Sequence, residues 1–153
     1  MSGPGRGRYR AAMPSEEPSP RVDEVDRAAV SAANGAFYEA FEARDLDAMS
    51  DLWAHDDRVV CVHPGWTTLR GWGPVAASWA AIFGGPQHLQ FILTDEHVVV
   101  VDDVAWVSCD ENLLAGDGSG TVTSLNVFTR EGDGRWLMLA HHGAPVMTGP
   151  GEP

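Results

Sequence analysis

Residues 87–147 read QHLQFILTDEHVVVVDDVAWVSCDENLLAGDGSGTVTSLNVFTREGDGRWLMLAHHGAPVM, and this stretch decides the fold. β-branched and aromatic residues fill four runs, and Asp-Asp or Gly-Asp-Gly stands at each break, which is typical of strands joined by tight turns. Without a helix between them, such strands form one antiparallel sheet, and one face of that sheet needs a cover. The predicted strands are residues 88–101, 104–114, 121–130 and 135–147.

The residues before the sheet supply the cover. Apolar residues recur every three or four positions after Pro20, which predicts an amphipathic helix that ends near Arg44. Asp45 is placed to cap a second helix. The remaining predicted elements are that second helix at 46–53, a short strand at 58–63 and a third helix at 74–83. This order predicts an α+β cone, with three N-terminal helices packed on a strongly curved, mainly antiparallel sheet and a pocket at its open end.

The length of 153 residues suits one domain with a single core. Residues 1–20 contain Gly, Pro, Ser and charge with almost nothing apolar, so we predict a disordered tail there. The domain is predicted at 21–148, followed by a disordered end at 149–153. Met13 is an alternative to Met1 as the true start.

Charge and cysteine content narrow the classes of partner and compartment. The net charge is −12, which repels phosphate backbones and anionic membrane surfaces, so we expect no nucleic-acid or membrane partner. No apolar run approaches the ~18 residues of a membrane span, and the first residues lack the apolar core of a signal peptide. Cys61 and Cys109 lie in apolar runs, as buried reduced thiols do. We therefore expect a cytoplasmic protein.

Three segments carry a family resemblance: FYEAFEARDLDAMSDLW at 37–53, VVCVHPGW and LRGWGPVAASWAAIF within 59–83, and TSLNVFTREGDGRWLMLAHHGAP at 123–145. As an ordered set they resemble the SnoaL-like branch of the nuclear transport factor 2-like (NTF2-like) superfamily. The last segment is also similar to the association domain of calcium/calmodulin-dependent protein kinase II. The resemblance implies the cone fold. It leaves the function open, because the superfamily includes isomerases, dehydratases, polyketide cyclases, transport adaptors and members without known activity.

The resemblance to the steroid isomerases of this superfamily is incomplete. In those enzymes an aspartate before a proline moves the proton, and a helix-1 tyrosine eight residues before an Asp-Leu-Asp step stabilises the enolate. Here Phe37 stands eight residues before Asp45, and Tyr38 is turned about 100° away on a helix. We therefore do not expect that mechanism to carry over. His63, which precedes Pro64, is a candidate acid, base or ligand of a substrate oxygen, or else it ties down the turn.

Successive side chains of a strand point to opposite faces of the sheet. Glu111 and Trp106 are therefore predicted on opposite faces, and so are His142 and His141. The resemblance to the kinase association domain implies that Glu111, Asn126 and His142 face the pocket. Burial would raise the pKa of Glu111 and suit it to acid or base work, although it could instead bond a backbone group or face a dimer partner. A glutamate there favours neutral or cationic ligands. Adjacent histidines on a strand point to opposite faces, so we expect no metal site.

Tryptophan is unusually frequent, with six residues in this short chain. Trp53, Trp66 and Trp79 come from the elements that rim the cone and would suit a flat apolar or aromatic ligand, although core packing explains each of them alone. Trp106 falls on the open face of the sheet. The superfamily typically dimerises through that face, so we expect a homodimer.

The sequence thus favours a small-molecule-binding protein in which His63 and Glu111 move protons, as an isomerase, dehydratase or cyclase does. The ligand would be an apolar or aromatic metabolite, and no cofactor is expected because the sequence shows no nucleotide-binding glycine motif or phosphate loop. A binding protein without activity and a dimerisation module with a vestigial pocket remain open. The predicted ligand-binding residues are Trp53, Trp66, Trp79, Asn126 and His142.

Overall fold

The protein is an α+β cone, as the sequence predicts. The computed structural model describes residues 20–116 and 118–147, with side chains from position 23 onward. The predicted tails lie outside these residues, except that Pro20 begins the first helix. The described elements are α1 (Pro20–Ala43), α2 (Leu46–Leu52), β1 (Val60–Val62), β2 (Leu69–Arg70), α3 (Trp72–Gly84), β3 (Gln90–Val101), β4 (Val104–Ala115), β5 (Gly118–Arg130) and β6 (Trp136–Pro145).

The strands form one sheet in the order β2-β1-β6-β5-β4-β3. Every neighbouring pair is antiparallel except β1 and β6, which run parallel. The long hairpins of β3 to β6 are the predicted meander, and β1 joins it from the helical half of the chain. Over the described residues, no helix has both the length and the apolar character of a membrane span.

Helix α1 lies along the concave face of the sheet and contacts β3, β4 and β6. It ends at Arg44, whose φ of 54° turns the chain into the left-handed region. Asp45 then caps α2 by accepting a hydrogen bond from the Ala48 amide at 3.0 Å, as predicted. The fully buried side chains of the core come from all layers: Val30, Phe37, Met49, Trp53, Val59, Val75, Trp79, Val107, Phe128 and Met138.

Strand β6 contains a one-residue bulge that the sequence pattern does not reveal. Phe128 pairs with Met138 and Val127 pairs with Ala140, so Leu139 is an extra residue on β6. The alternation of faces therefore shifts by one after Met138. The prediction that His142 faces the interior is wrong, because the bulge turns His141 inward instead.

The same shift brings Gly143 to the inner face, where only a glycine fits without rearrangement. A Cβ at this position would lie 3.1 Å from Val122 Cγ1 and 3.2 Å from Pro64 Cγ. Pro64 belongs to the turn that follows β1, so this close approach joins β6 to the segment that carries His63.

Candidate functional site

The interior of the cone holds a connected group of buried polar side chains, which we call the interior polar cluster. It consists of Asn34, Tyr38, Glu111, Ser124, Asn126 and His141, and none is more than 4% exposed. Tyr38 and Asn34 come from α1, and the other four come from the inner faces of β4, β5 and β6. Glu111 and Asn126 thus lie on the inner face, as the family resemblance implies, and their roles stay predictions.

Tyr38 lies at the centre of this cluster, contrary to the sequence prediction that it is turned away. Its hydroxyl lies 2.5 Å from Glu111 Oε2, 3.0 Å from Ser124 Oγ and 3.1 Å from Asn126 Nδ2. The 100° rotation between Phe37 and Tyr38 does not bring Tyr38 to solvent, because the curved sheet wraps around α1 and buries both residues. The sequence feature that could have predicted the buried position of Tyr38 is its place directly beside the apolar stripe of the helix.

Burial changes the protonation of the Tyr38 and Glu111 pair. It raises the pKa of Glu111, and the hydrogen bonds from Tyr38 and Ser124 offset only part of that effect. Burial also raises the pKa of Tyr38, and the neighbouring charge of Glu111 raises it further. The Tyr38 phenol therefore keeps its proton, and the carboxyl of Glu111 is shifted toward its protonated form. The phenol proton of Tyr38 is donated to Glu111.

Asn126 connects this pair to His141. Its Nδ2 donates to Asn34 Oδ1 at 2.8 Å, which leaves its Oδ1 to accept from His141 Nδ1–H at 2.6 Å. This bond fixes the His141 tautomer, so Nε2 carries the unshared pair. Burial lowers the pKa of His141 to about 3, which keeps the ring neutral at physiological pH.

His63 lies beyond His141, at 6.3 Å between the ring centroids, and is 3% exposed. Ser78 gives its hydroxyl proton to Val75 O at 2.6 Å and so accepts from His63 Nε2–H at 2.8 Å. The unshared pair of His63 is therefore on Nδ1. Burial lowers the pKa of His63 to about 4, so this neutral imidazole is a weak base at neutral pH.

The two cysteines are free thiols inside the core. Burial raises the pKa of Cys61 to about 12 and also raises the pKa of Cys109. Thiolate is the reactive form of cysteine, so neither residue is a nucleophile in this environment.

The three predicted rim tryptophans separate into two groups. Trp53 and Trp79 are 2% and 0% exposed and pack in the core, so the prediction that they rim an open cone is wrong. Their rings fill the interior because the end of α2 packs against α3, which brings the two ring centroids to 6.5 Å from each other. Trp66 follows the Pro64-Gly65 turn and is 45% exposed, and its ring lies 4.8 Å from that of His63.

A cavity of about 440 Å³ opens at the end of the cone where α1 and α3 finish. Aromatic and aliphatic side chains form most of its wall, and Arg44 is the charged one. His63, Glu111 and Asn126 are not among its lining residues and are at most 3% exposed. The lining residues are Phe41, Arg44, Trp66, Ala81, Ile82, Phe83, Gly85, Pro86, Gln87 and Leu89.

Arg44 shapes this cavity, and backbone carbonyls engage its guanidinium. It donates from Nε to Phe83 O at 3.0 Å and from Nη2 to Phe83 O and Gly85 O. These carbonyls are at the C-terminal end of α3, where the helix dipole favours a cation. Nη1 contacts the His88 ring at 3.1 Å. The fold thus occupies the guanidinium donors that face these carbonyls, and the remaining wall is mostly aromatic and aliphatic.

Two buried donors in the described part of the chain have no protein partner, Asn34 Nδ2 and Trp79 Nε1. Unpaired donors of this kind are costly, and they suit an oxygen atom of a bound molecule or a water. Among residues 20–116 and 118–147, no group of three or more His, Cys, Asp or Glu side chains is arranged to hold a metal ion.

Comparisons with known proteins agree with this architecture. Residues 30–148 match the SnoaL-like domain family. A solved structure from Streptomyces avermitilis, provisionally named a dehydratase of the NTF2-like family, is 41% identical with a TM-score of 0.76, and 82% of this chain and 99% of that chain are covered. A Thiobacillus denitrificans protein, provisionally named a calcium/calmodulin-dependent protein kinase type II association domain, is 38% identical with a TM-score of 0.71, over 76% and 94% of the two chains.

A curated relative is the F-box protein SKIP8 of Arabidopsis thaliana, which is 30% identical over 119 residues. The match covers 78% of this chain, and the chain spans about half the length of that relative, 50%. Most of the described domain is therefore accounted for by one family. The chain belongs to the SnoaL-like branch of the NTF2-like superfamily.

Proposed function

We propose that this protein binds a small apolar or aromatic metabolite and catalyses a proton transfer of the isomerase, dehydratase or cyclase type. One observation carries the proposal. The interior holds a proposed proton donor, the Tyr38–Glu111 pair at 2.5 Å, and a neutral imidazole, His63, whose Nδ1 carries the unshared pair and lies 3.9 Å from Cys61 Sγ. The His141–Asn126 pair lies between them: Asn126 Nδ2 donates to the Tyr38 hydroxyl at 3.1 Å, and the His141 ring lies 6.3 Å from that of His63 between centroids.

The proposed donor and His63 have complementary roles in such a reaction. His63 Nδ1 takes a proton from the substrate, and the Tyr38–Glu111 pair donates a hydrogen bond or a proton where negative charge develops on an oxygen. Because the pKa of His63 is lowered to about 4, abstraction needs that charge to be stabilised as it forms. Asn126 holds the tyrosine hydroxyl in place by donating to it at 3.1 Å, and His141 holds Asn126. Each of these reaction types begins with a proton transfer and involves no net oxidation or reduction, so we propose no cofactor.

The cavity supports the proposed ligand class. Its aromatic and aliphatic wall fits a flat apolar body, and its one cation is engaged by the carbonyls of α3. A volume of about 440 Å³ is within the range of small-molecule sites. The buried donors Asn34 Nδ2 and Trp79 Nε1 suit a carbonyl or hydroxyl oxygen of the ligand. We therefore propose a neutral ligand with an apolar ring and at least one oxygen.

Hydrogen–deuterium exchange tests the proposed chemistry without knowledge of the natural substrate. The probe is 2-tetralone, a neutral bicyclic ketone, incubated with the protein in D₂O and followed by NMR at its α-carbons. We expect exchange above the buffer rate with the unmodified protein. His63→Gln and Tyr38→Phe should each lower that excess rate by about 10²-fold or more, which is the usual size of an acid–base contribution.

His142→Gln is the matched control, because it removes an exposed imidazole that is adjacent in the chain to His141. It should leave the exchange rate unchanged. Thermal unfolding and 2-tetralone binding, measured on every variant, separate lost chemistry from lost fold or affinity. An exchange rate equal to that of buffer with the ketone bound would contradict the enzyme proposal.

That outcome would favour a second function, a binding protein without activity. One observation supports this alternative: the lining of the cavity does not include His63 or Glu111. In that case the interior polar cluster serves to fix α1 on the sheet, and substitutions such as Glu111→Gln change stability and leave ligand affinity unaltered.

We also propose that the protein is cytoplasmic and pairs with a second copy through the outer face of its sheet. Two buried free thiols fit a reducing compartment. Apolar side chains on the outer face support the pairing, including Val99 and Leu125, which are 37% and 44% exposed.

A further inference from the structure

Trp66 lies between the cavity and the interior, and it contacts both. Its ring forms part of the cavity wall and meets the His63 ring edge-on at 4.8 Å. The other groups placed against His63 are buried: Trp79 is 0% exposed, Cys61 is 0% exposed and Ser78 is 5% exposed. Of these neighbours, Trp66 alone is substantially exposed, at 45%. Among the cavity-lining residues, Trp66 is the one whose ring meets the His63 ring directly, whereas Phe41 and Phe83 reach it through the buried Trp79.

The backbone that carries this indole is fixed. The Trp66 amide donates to His63 O at 2.8 Å across Pro64 and Gly65, and Gly65 has a φ of 82°. Proline followed by a glycine in the left-handed region is the pattern of a type II turn, which holds the chain in one conformation. Rotation about the side-chain bonds is therefore the movement of Trp66 that keeps this turn intact. Exposed side chains rotate on the picosecond to nanosecond timescale, far faster than enzyme turnover.

We propose that the Trp66 indole is a gate between the cavity and His63. With the indole as the structure shows it, the two spaces are separate. With the indole rotated toward solvent, they form one site in which a flat neutral ring takes the indole's place against His63. The identity of the admitted ligand depends on the proposed function, whereas the movement of the gate does not require catalysis.

The first experiment measures access to His63 with diethylpyrocarbonate, which modifies neutral imidazole, at pH 7 with peptide mass spectrometry. His141 is an internal reference, because it is 2% exposed and is not placed against Trp66. We expect Trp66→Ala to raise the modification rate of His63 at least tenfold relative to that of His141. Trp106→Ala, which removes an indole from the outer sheet face, is the matched control and should leave the ratio unchanged.

Two results of this experiment would overturn the gate. The first is a modification rate of His63 that stays as low as that of His141 in the Trp66→Ala variant. The second is a rise of both rates together, which shows general opening of the fold rather than of one entrance.

The second experiment tests whether the indole moves in the unmodified sequence. The protein is labelled with 5-fluorotryptophan, the Trp66 resonance is assigned with Trp66→Phe, and indole is added as the probe. We expect indole to shift or broaden the Trp66 fluorine signal and also to shift the ring-proton resonances of His63, which a molecule confined to the cavity wall does not reach, while the signal of Trp79 changes less. A Trp66 signal that indole leaves unchanged, or one that changes no more than the Trp79 signal, rejects the gate. If the Trp66 and His63 signals respond to indole but the protein does not accelerate deuterium exchange of 2-tetralone, the gate is supported and the protein is a binding protein without activity.

Discussion

At the residue scale, the interior polar cluster is made stable by protonation states that remove its charges. Burial lowers the pKa of both His63 and His141 and raises the pKa of Glu111, so every shift favours the uncharged form. Isolated charges inside a protein cost several kcal/mol, and hydrogen-bonded neutral groups cost far less. The same shifts make the stability of the protein depend on pH in two opposite directions.

On the acid side, we expect the free energy of unfolding to fall as the pH drops from about 6.5 toward 4. Over that interval the unfolded chain binds protons at His63, whose ordinary pKa is 6.5, and the folded chain does not because its value is about 4. His63→Gln should make this loss of stability shallower. Urea unfolding between pH 4 and 8 measures it, and an unchanged acid slope in His63→Gln would contradict the assignment.

For Glu111 the sign is reversed, over a pH range that begins at its ordinary pKa of 4.5 and overlaps the range of His63. The folded chain holds the Glu111 proton above its ordinary pKa of 4.5, whereas the unfolded chain releases it, so this group loses stability as the pH rises. Glu111→Gln cannot ionise. Relative to the unmodified protein, it should therefore gain stability as the pH rises above 4.5 in the same urea series.

At the element scale, the sequence predicts the regular parts of the fold and misses the places where elements deviate. Strands β4 and β5 were predictable because their alternation is unbroken. Strand β3 was predictable from the turn residues at its ends, although a bulge between Thr94 and His97 interrupts its alternation. Alternation places Glu111 on one face with Val107 and Cys109, and the resemblance to the kinase association domain implies that this face is the inner one. The prediction for His142 failed because one extra residue at Leu139 leaves no mark in composition. The prediction for Tyr38 failed because the curvature of the sheet, a tertiary property, decides how much of α1 is buried.

The bulge also sets a local packing limit that can be measured. Gly143→Ala places a Cβ within 3.1 Å of Val122 and 3.2 Å of Pro64, so we expect a loss of about 1–3 kcal/mol of stability from overpacking. Gly132→Ala is the matched control, because nothing lies within 4 Å of its Cβ. Urea unfolding of both variants compares them. Equal stability of the two variants would mean that β6 and the turn after β1 adjust freely.

At the scale of the whole molecule, exposed apolar side chains on the outer face of the sheet are the basis of the proposed pairing with a second copy. Val99, Trp106 and Val127 form one row across β3, β4 and β5, and Leu125 lies in the next row. Leu125 is 44% exposed, although leucine is usually buried. The net charge of −12 opposes association, so screening by salt should favour it.

We therefore expect a homodimer in sedimentation velocity, with a larger dimer fraction at higher salt. Leu125→Glu places a carboxylate in the proposed interface and should give monomer. Val25→Glu is the control, since Val25 is 62% exposed on α1, on the opposite side of the sheet. A monomer at all concentrations, or a dimer that Leu125→Glu does not weaken, would contradict pairing through this face.

The bulge at Leu139 affects how the roles of residues can be transferred by alignment between members of this family. Consider a homologue whose last strand lacks the additional residue and whose sequence is aligned to this one without a gap. Its residue in the alignment column of His142 would point to the face of the sheet on which His141 lies in this chain. Alignment columns and spatial positions then disagree by one along the end of the strand. Assignments transferred from such a homologue should therefore follow superposed side-chain directions, since matching the neighbouring histidines letter by letter would select the imidazole that points to solvent.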